Sequence, residues 1–283
     1  MKSIIALAQC GSTENMEENL RIAAQYMKSA KQAHASMIVF PEYFMMPYTA
    51  SDHQYVTKAQ KQNGPFVSRM AQLAKEYGLW VVFGMNEKPD NRISSEVSDN
   101  LSKNSLVKET NNRNDKCYNT LLILDSSGTC QGYYRKQHLF DAFHWKESDD
   151  TLPGETIFAP VKTPFGILGL ATCYDLRFPD VARKQALAGA QLMIYPSAWV
   201  KGDMKDIHWK TLLQARAIEN SMYVIGCSQY TPDTYLGKSC AFDPMGRLLT
   251  EGDSQEEMLL VSVIPEETEK TRKTIPALLS ELK

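Results

Sequence analysis

The sequence lacks several features that would assign it to common protein classes. No segment approaches the roughly 20 consecutive apolar residues that a transmembrane helix needs. The net charge of −2 gives no electrostatic reason to expect nucleic acid or an anionic membrane as a partner. The motifs GxGxxG, GxSxG and HExxH are absent, and the five histidines show no metal-ligand spacing. We therefore expect neither a metal nor a cofactor.

Signals of secretion are also missing. The six cysteines are scattered, and no two of them are at CxxC spacing, so reduced thiols in a cytoplasmic protein are the simplest interpretation. The apolar run near the N-terminus is too short for a signal peptide and reaches Gln9 without a cleavage site, which favours a first strand. No linker rich in Pro, Gly or Ser divides the chain, so we predict one domain over residues 1–283.

The first part of the chain alternates between strand and helix patterns. The spacing of apolar residues predicts strands at Ser3–Gln9, Ser36–Phe40 and Leu79–Gly84, separated by helices at Met16–Gln32 and Pro65–Tyr77. This order is typical of helices layered on a sheet.

A polar stretch of about residues 86–116 follows, and we expect an exposed insertion there with no catalytic part. The remaining chain is rich in strands, among them Ile157–Lys162, with further helices between them. One helix, Asp206–Asn220, is predicted to turn these apolar side chains inward: Leu212, Leu213, Ala215, Ala217 and Ile218.

Cys173 lies between a buried strand, Ile167–Ala171, and a helix that begins near Pro179. A sharp turn there would place its sulfur in a cleft beside main-chain N–H groups, which favour a thiolate and a developing oxyanion. Most free cysteines, however, simply pack as small hydrophobes. Taken alone, the stretch fits Cys173 as a nucleophile and Cys173 as a packing residue about equally well.

Two other ionisable residues follow strands in the same way. Glu42 comes after the strand Ser36–Phe40, and Lys136 comes after the strand Gln131–Arg135. Strand ends of a layered α/β domain converge on a cleft, where a carboxylate, an ammonium group and a thiol would suit acyl transfer from an amide. The alternative is that Glu42 and Lys136 form a weak salt bridge at the surface.

Three blocks, Phe40-Pro41-Glu42, Tyr134-Arg135-Lys136 and Cys173-Tyr-Asp-Leu-Arg-Phe-Pro-Asp180, resemble the motifs of the carbon–nitrogen hydrolases of the nitrilase superfamily. The resemblance continues in the same order through Tyr195-Pro-Ser-Ala-Trp199 and His208–Asn220, so it spans nearly the whole chain. Within the superfamily, the residues after the cysteine look like the branch that holds ω-amidases and deaminated-glutathione amidases.

This resemblance implies a four-layer αββα sandwich that assembles into a homodimer or larger homo-oligomer. It also implies that Glu42 is the base for Cys173, and that Lys136 and the main-chain N–H of Tyr174 hold the oxyanion. Glu147 matches a further glutamate that positions the lysine or the substrate; the alternative is an exposed loop acid.

Three more residues are candidates for substrate binding. Arg177 is placed to hold a substrate carboxylate, although a structural pair with Asp175 or Asp180 is an alternative. Tyr48 and Trp199, on loops after strands, are candidate cavity walls or core aromatic residues.

Together these observations predict a cofactor-free cytoplasmic thiol amidohydrolase that releases ammonia from a small linear amide, one that carries a carboxylate. Two alternatives remain. The same triad could act on an N-carbamoyl amide or a nitrile, or the chain could be a catalytically silent assembly subunit. The presence of Glu42, Lys136 and Cys173 argues against the silent subunit.

Overall fold

The computed structural model describes residues 2–90 and 115–280. Within these ranges it contains thirteen strands: β1 (Ser3–Gln9), β2 (Met37–Val39), β3 (Trp80–Glu87), β4 (Cys117–Leu124), β5 (Cys130–Arg135), β6 (Thr151–Leu152), β7 (Val161–Thr163), β8 (Gly166–Leu170), β9 (Leu192–Ser197), β10 (Tyr223–Ser228), β11 (Cys240–Phe242), β12 (Leu248–Glu251) and β13 (Glu257–Val263). The helices of the same ranges are α1 (Met16–Gln32), α2 (Gln54–Thr57), α3 (Pro65–Tyr77), α4 (Pro179–Leu187), α5 (Lys205–Asn220), α6 (Pro265–Thr274) and α7 (Ala277–Ser280).

The strands form two sheets. The first runs in the order β13-β1-β2-β3-β4-β5, with β6 added beside β4, and the second runs β12-β11-β10-β9-β8-β7. At the centre of each sheet, three neighbouring strands are parallel (β1-β2-β3 and β8-β9-β10). Parallel strands covered on both faces read as continuous apolar runs, and the segment Leu192–Ser197 is buried at every position.

Helices cover the outer faces of the sheets, and the inner faces meet each other. Leu20 and Met27 of α1 and Met70 of α3 share one buried cluster with the first sheet. A second cluster joins β1 and β2 to β8, β9 and β10, together with α4 and α5. The predicted αββα sandwich is therefore confirmed. No helix in the described ranges is long and apolar enough to cross a membrane.

Local signals explain where the early helices begin and end. Asn15 caps α1, because its side-chain oxygen accepts hydrogen bonds from the main-chain N–H groups of Glu17 and Glu18. Pro65 occupies the first turn of α3, and Gly78 ends that helix in the left-handed conformation, with φ of 65°.

Some boundaries differ from the sequence-based expectations. The strand β3 continues past Gly84 to Glu87, because Glu87 is buried and accepts hydrogen bonds from Thr120 at 2.7 Å and from Arg135 Nε at 2.8 Å. The start of the predicted polar insertion at residues 86 and 87 is therefore wrong, and residues 91–114 of that insertion lie outside the described residues. Strand β7 begins at Val161, later than Ile157.

The prediction that Ile218 faces inward is also wrong, because its side chain is 53% exposed. The buried face of α5 carries Trp209, Leu213 and Ala217, which are spaced by four residues. Ile218 is rotated by about 100° from Ala217 around the helix, which places it on the surface.

Candidate active site

Glu42 lies in a tight bend that begins two residues after β2 ends. The bend packs directly on Gly84 of β3: a Cβ atom at position 84 would lie 2.5 Å from the main-chain nitrogen of Tyr43 and 2.9 Å from Glu42 Cα. Tyr43 itself has φ of 56°, an uncommon conformation for a residue other than glycine. A glycine at position 84 and a left-handed residue at 43 thus bring Glu42 close to the first sheet.

The Glu42 carboxylate is 1% exposed and accepts hydrogen bonds from both sheets. Its Oε1 atom accepts from Asn119 Nδ2 at 2.7 Å, on β4 of the first sheet, and from Lys136 Nζ at 2.9 Å, just after β5 of that sheet. Its Oε2 atom accepts from the main-chain N–H of Ala198 at 2.6 Å, just after β9 of the second sheet. These three bonds hold the carboxylate where the two sheets meet.

Lys136 follows β5 directly and is 2% exposed. Burial alone would favour the neutral amine, but the negative charges of Glu147 and Glu42 prevail and raise the pKa of Lys136 well above its usual value. Glu147 Oε2 accepts from Lys136 Nζ at 2.8 Å. Lys136 is therefore an ammonium group with two of its three N–H donors engaged.

Glu147 is buried, so the exposed-acid alternative is wrong. Besides Lys136, it accepts hydrogen bonds from the Tyr43 hydroxyl at 2.7 Å and the Phe140 main-chain N–H at 2.6 Å. Although burial opposes ionisation, Lys136 and these donors lower the pKa of Glu147. The group is thus kept as a carboxylate.

Cys173 occupies the predicted sharp turn, between β8 and a short 3-10 turn, Cys173–Arg177. Its φ of 44° is a strained conformation for this residue type. Burial, followed by the negative charge of Glu42, raises the pKa of the thiol well above its usual value, against the opposing effect of Lys136. The resting group is therefore a protonated thiol, and a base is needed to activate it.

Asp175 connects the cysteine turn to the lysine segment. It is fully buried and accepts hydrogen bonds from the main-chain N–H of Thr172 at 3.0 Å and from the Tyr134 hydroxyl at 2.8 Å. The main-chain N–H of His138 donates to it at 3.0 Å, and the ring Nδ1 of His138 lies 2.7 Å away. Because Tyr134 and His138 flank Lys136, Asp175 connects the cysteine turn to the segment that carries the ammonium group.

An open cavity of about 500 Å³ lies over this cluster. All eight residues singled out from the sequence line it: Glu42, Tyr48, Lys136, Glu147, Cys173, Tyr174, Arg177 and Trp199.

The open questions about the binding residues have structural answers. Tyr48 lines the cavity and packs on Tyr43, Tyr55 and Trp145, with ring centroids 4.8–5.7 Å apart. Trp199 is 3% exposed and also packs on Trp209, so it serves as core and wall together.

Arg177 forms no ion pair within the described ranges, so its alternative pairing with Asp175 or Asp180 is not found. Its guanidinium carbon lies 5.1 Å from the Trp199 ring centroid. One of its nitrogens lies 3.4 Å from His208 Nδ1.

Sequence reasoning missed several residues of the site, among them Lys205, Tyr43 and Asn119. Lys205, at the first position of α5, lines the cavity and is 5% exposed. The Tyr43 hydroxyl donates a hydrogen bond to Glu147, and the Asn119 side-chain amide donates one to Glu42. Asn119 did carry a signal, since it is a polar residue in the buried strand β4. Lys205 carried none, because a lysine at a helix start is usually solvated.

Comparisons with known proteins identify the family of this chain. The carbon-nitrogen hydrolase family matches residues 4–273. The chain is 33% identical to deaminated glutathione amidase of Mus musculus, over 87% of this chain and 73% of that protein. It is 31% identical to omega-amidase NIT3 of Saccharomyces cerevisiae, over 96% of this chain and 90% of that protein. The crystal structure of Saccharomyces cerevisiae Nit3, a member of branch 10 of the nitrilase superfamily, superposes with a TM-score of 0.80 at 30% identity, over 97% of this chain and 94% of that one.

Proposed function

The chain belongs to the carbon-nitrogen hydrolase family, and from this premise we propose that it hydrolyses a small linear amide bearing a carboxylate, with release of ammonia. Amide C–N hydrolysis is the activity that the family and the amidase relatives support. The observation that carries the proposal is the buried cluster of Glu42, Lys136 and Glu147 beside the Cys173 thiol in one cavity.

In the first half of the proposed reaction, Glu42 takes the thiol proton of Cys173 while the sulfur attacks the amide carbonyl carbon. The third N–H of Lys136 and the main-chain N–H of Tyr174 hold the oxyanion of the tetrahedral intermediate. Tyr174 is in the first turn after the cysteine, where helical N–H groups lack intrahelical acceptors. When the C–N bond breaks, Glu42 returns the proton to the departing nitrogen, and ammonia leaves.

The second half removes the acyl group. Glu42 takes a proton from water as the water attacks the thioester carbonyl carbon. The C–S bond then breaks, the sulfur regains its proton, and the carboxylic acid leaves. Glu147 does not transfer a proton in this scheme, because its lowered pKa and its contact with Lys136 make it the fixed counter-ion of the ammonium group.

Arg177 supports the carboxylate on the substrate, because its guanidinium group lines the cavity without an ion-pair partner in the described ranges. A guanidinium group binds a carboxylate through two parallel hydrogen bonds.

A panel of substrates tests the proposal. Ammonia release from ω-amides such as α-ketoglutaramate is expected to exceed release from N-carbamoyl compounds and nitriles. Faster turnover of a carbamoyl compound or a nitrile would show that the same triad acts on that class of substrate instead. Absence of turnover on every class would favour the silent subunit.

We further propose a single cytoplasmic domain that forms a homodimer or larger homo-oligomer. The exposed apolar side chains of Ile218 and Met245, 53% and 42% exposed, support an interface between copies. Light scattering on the parent and on Ile218→Lys tests the oligomer: the parent should be an oligomer and the variant should dissociate. A parent that is already monomeric would contradict the proposal.

A further inference from the structure

Lys205 is a buried cation that lacks a counter-ion. Its side chain reaches the cavity from the start of α5, and its Nζ atom lies 4.9 Å from the Phe140 ring centroid, 4.3 Å from that of Phe143 and 5.7 Å from that of Trp199. In the described part of the chain its ammonium group forms no ion pair and no hydrogen bond. Burial, followed by the positive charge of Arg177, lowers its pKa.

Arg177 is close by and also forms no ion pair in the described ranges, although one of its nitrogens contacts His208 Nδ1 at 3.4 Å. Its guanidinium group and the ammonium group of Lys205 both lie within 6 Å of the Trp199 ring centroid, at 5.1 and 5.7 Å. The carboxylates among the lining residues, Glu42 and Glu147, are engaged by Lys136. Two neighbouring cations without an anion repel each other, so this arrangement is costly unless a ligand supplies the negative charge.

We propose that Lys205 is a specificity-determining residue that binds the substrate carboxylate together with Arg177. The inference rests on the proposed amidase function and adds a second cation to it. Three aromatic rings lie within 6 Å of the ammonium group and Lys205 is only 5% exposed, so an ion pair formed there is screened less than one on the surface. Loss of the Lys205 charge is therefore expected to weaken the binding of a carboxylate about 10- to 100-fold.

Lys205→Met removes the charge but keeps most of the side chain. The main-chain carbonyl of Lys205, which accepts a hydrogen bond from Trp199 Nε1 at 2.9 Å, remains in place. Lys205→Arg restores a cation. Lys201→Met is the matched control, because Lys201 is on the loop that leads into α5 and its Nζ atom lies 5.3 Å from the Tyr230 ring centroid, but it does not line the cavity.

The test compares succinamate with butyramide, which has the same length but a methyl group in place of the carboxylate. For Lys205→Met we expect the KM for succinamate to rise about 10- to 100-fold with kcat within about threefold, and the KM for butyramide to stay unchanged. Lys205→Arg should recover much of the succinamate affinity, and Lys201→Met should match the parent. Equal losses on both amides, or no loss on either, would overturn the assignment.

A binding measurement separates this inference from the proposed function. Calorimetric titration with glutarate needs no turnover, so it remains informative even if the parent hydrolyses neither amide and the proposed function fails. We expect Lys205→Met to weaken glutarate binding at least about tenfold relative to the parent and Lys201→Met. An unchanged glutarate affinity, or a parent that does not bind glutarate, would reject Lys205 as a carboxylate ligand.

Discussion

The cavity lining holds two groups of charged side chains, which we call its catalytic end (Glu42, Lys136 and Glu147) and its recognition end (Arg177 and Lys205), and the charges of the two groups are paired in opposite ways. At the catalytic end, Lys136 contacts Glu42 at 2.9 Å and Glu147 at 2.8 Å, so every charge has a partner within the protein. At the other end, Arg177 and Lys205 have no carboxylate in the described ranges. A site that supplies its own counter-ions keeps its geometry before the substrate arrives, whereas unpaired cations are completed by a ligand. The paired end therefore suits chemistry, and the unpaired end suits recognition.

Removal of the nucleophile should separate the two ends most strongly. Cys173→Ala is expected to lower kcat by on the order of 1,000-fold or more, because no thioester can form. Glutarate affinity should stay within about threefold of the parent. Stopped-time ammonia assays measure the turnover of the variant. Turnover within tenfold of the parent would exclude Cys173 as the nucleophile.

Lys136→Met and Lys205→Met replace the same residue type at the two ends. Lys136→Met should lower kcat about 100-fold or more through loss of an oxyanion donor. It should also lower the free energy of unfolding by about 3–5 kcal/mol, because two buried carboxylates lose their cation. Lys205→Met removes an unpaired charge and deprives no carboxylate of its cation, so it should cost little stability. Urea denaturation measures the free energy of unfolding of both variants. Similar losses of stability in the two would refute the contrast between the paired and the unpaired lysine.

Glu147→Gln keeps the size of the side chain and removes the charge that faces Lys136. We expect kcat to fall about tenfold with little change in KM, since the ammonium group loses one of its two anchors while the recognition end is untouched. Steady-state kinetics on succinamate provide the measurement. A larger effect on KM than on kcat would indicate that Glu147 contacts the substrate.

The smallest expected effect is on the pH dependence of stability, and its sign differs between the two lysines. The raised pKa of Lys136 stabilises the fold below the unfolded-state value of about 10.4, and this contribution is lost as pH rises through the folded pKa. The lowered pKa of Lys205 makes its contribution rise with pH between the folded value and about 10.4. Unfolding measured from pH 8 to 10.5 should show that rise in the parent relative to Lys205→Met, and bound glutarate should reduce it. A flat difference would contradict the lowered pKa.

Local patterns in the sequence were enough to place some of the site. Glu42 and Cys173 each follow a buried strand, and Lys136 follows β5, a largely exposed strand at the edge of the first sheet. The αββα architecture brings these three strand ends together. The position of Lys205 depends instead on how α5 begins: Met204 adopts φ of 57°, and the helix starts one residue earlier than its apolar pattern indicates. The need for glycine at position 84 depends on how closely two distant segments approach. Neither property is local, so neither can be read from spacing.

The proposed nucleophile, Cys173, follows a strand of one sheet, and the proposed base, Glu42, and the ammonium group of Lys136 follow strands of the other. Neither half of the chain can therefore be active alone, and a partly folded molecule with native secondary structure still lacks a working centre. During refolding, ammonia production should reappear only after the far-ultraviolet circular dichroism signal has recovered. Recovery of enzyme turnover would thus report the last step of folding, the docking of the two sheets.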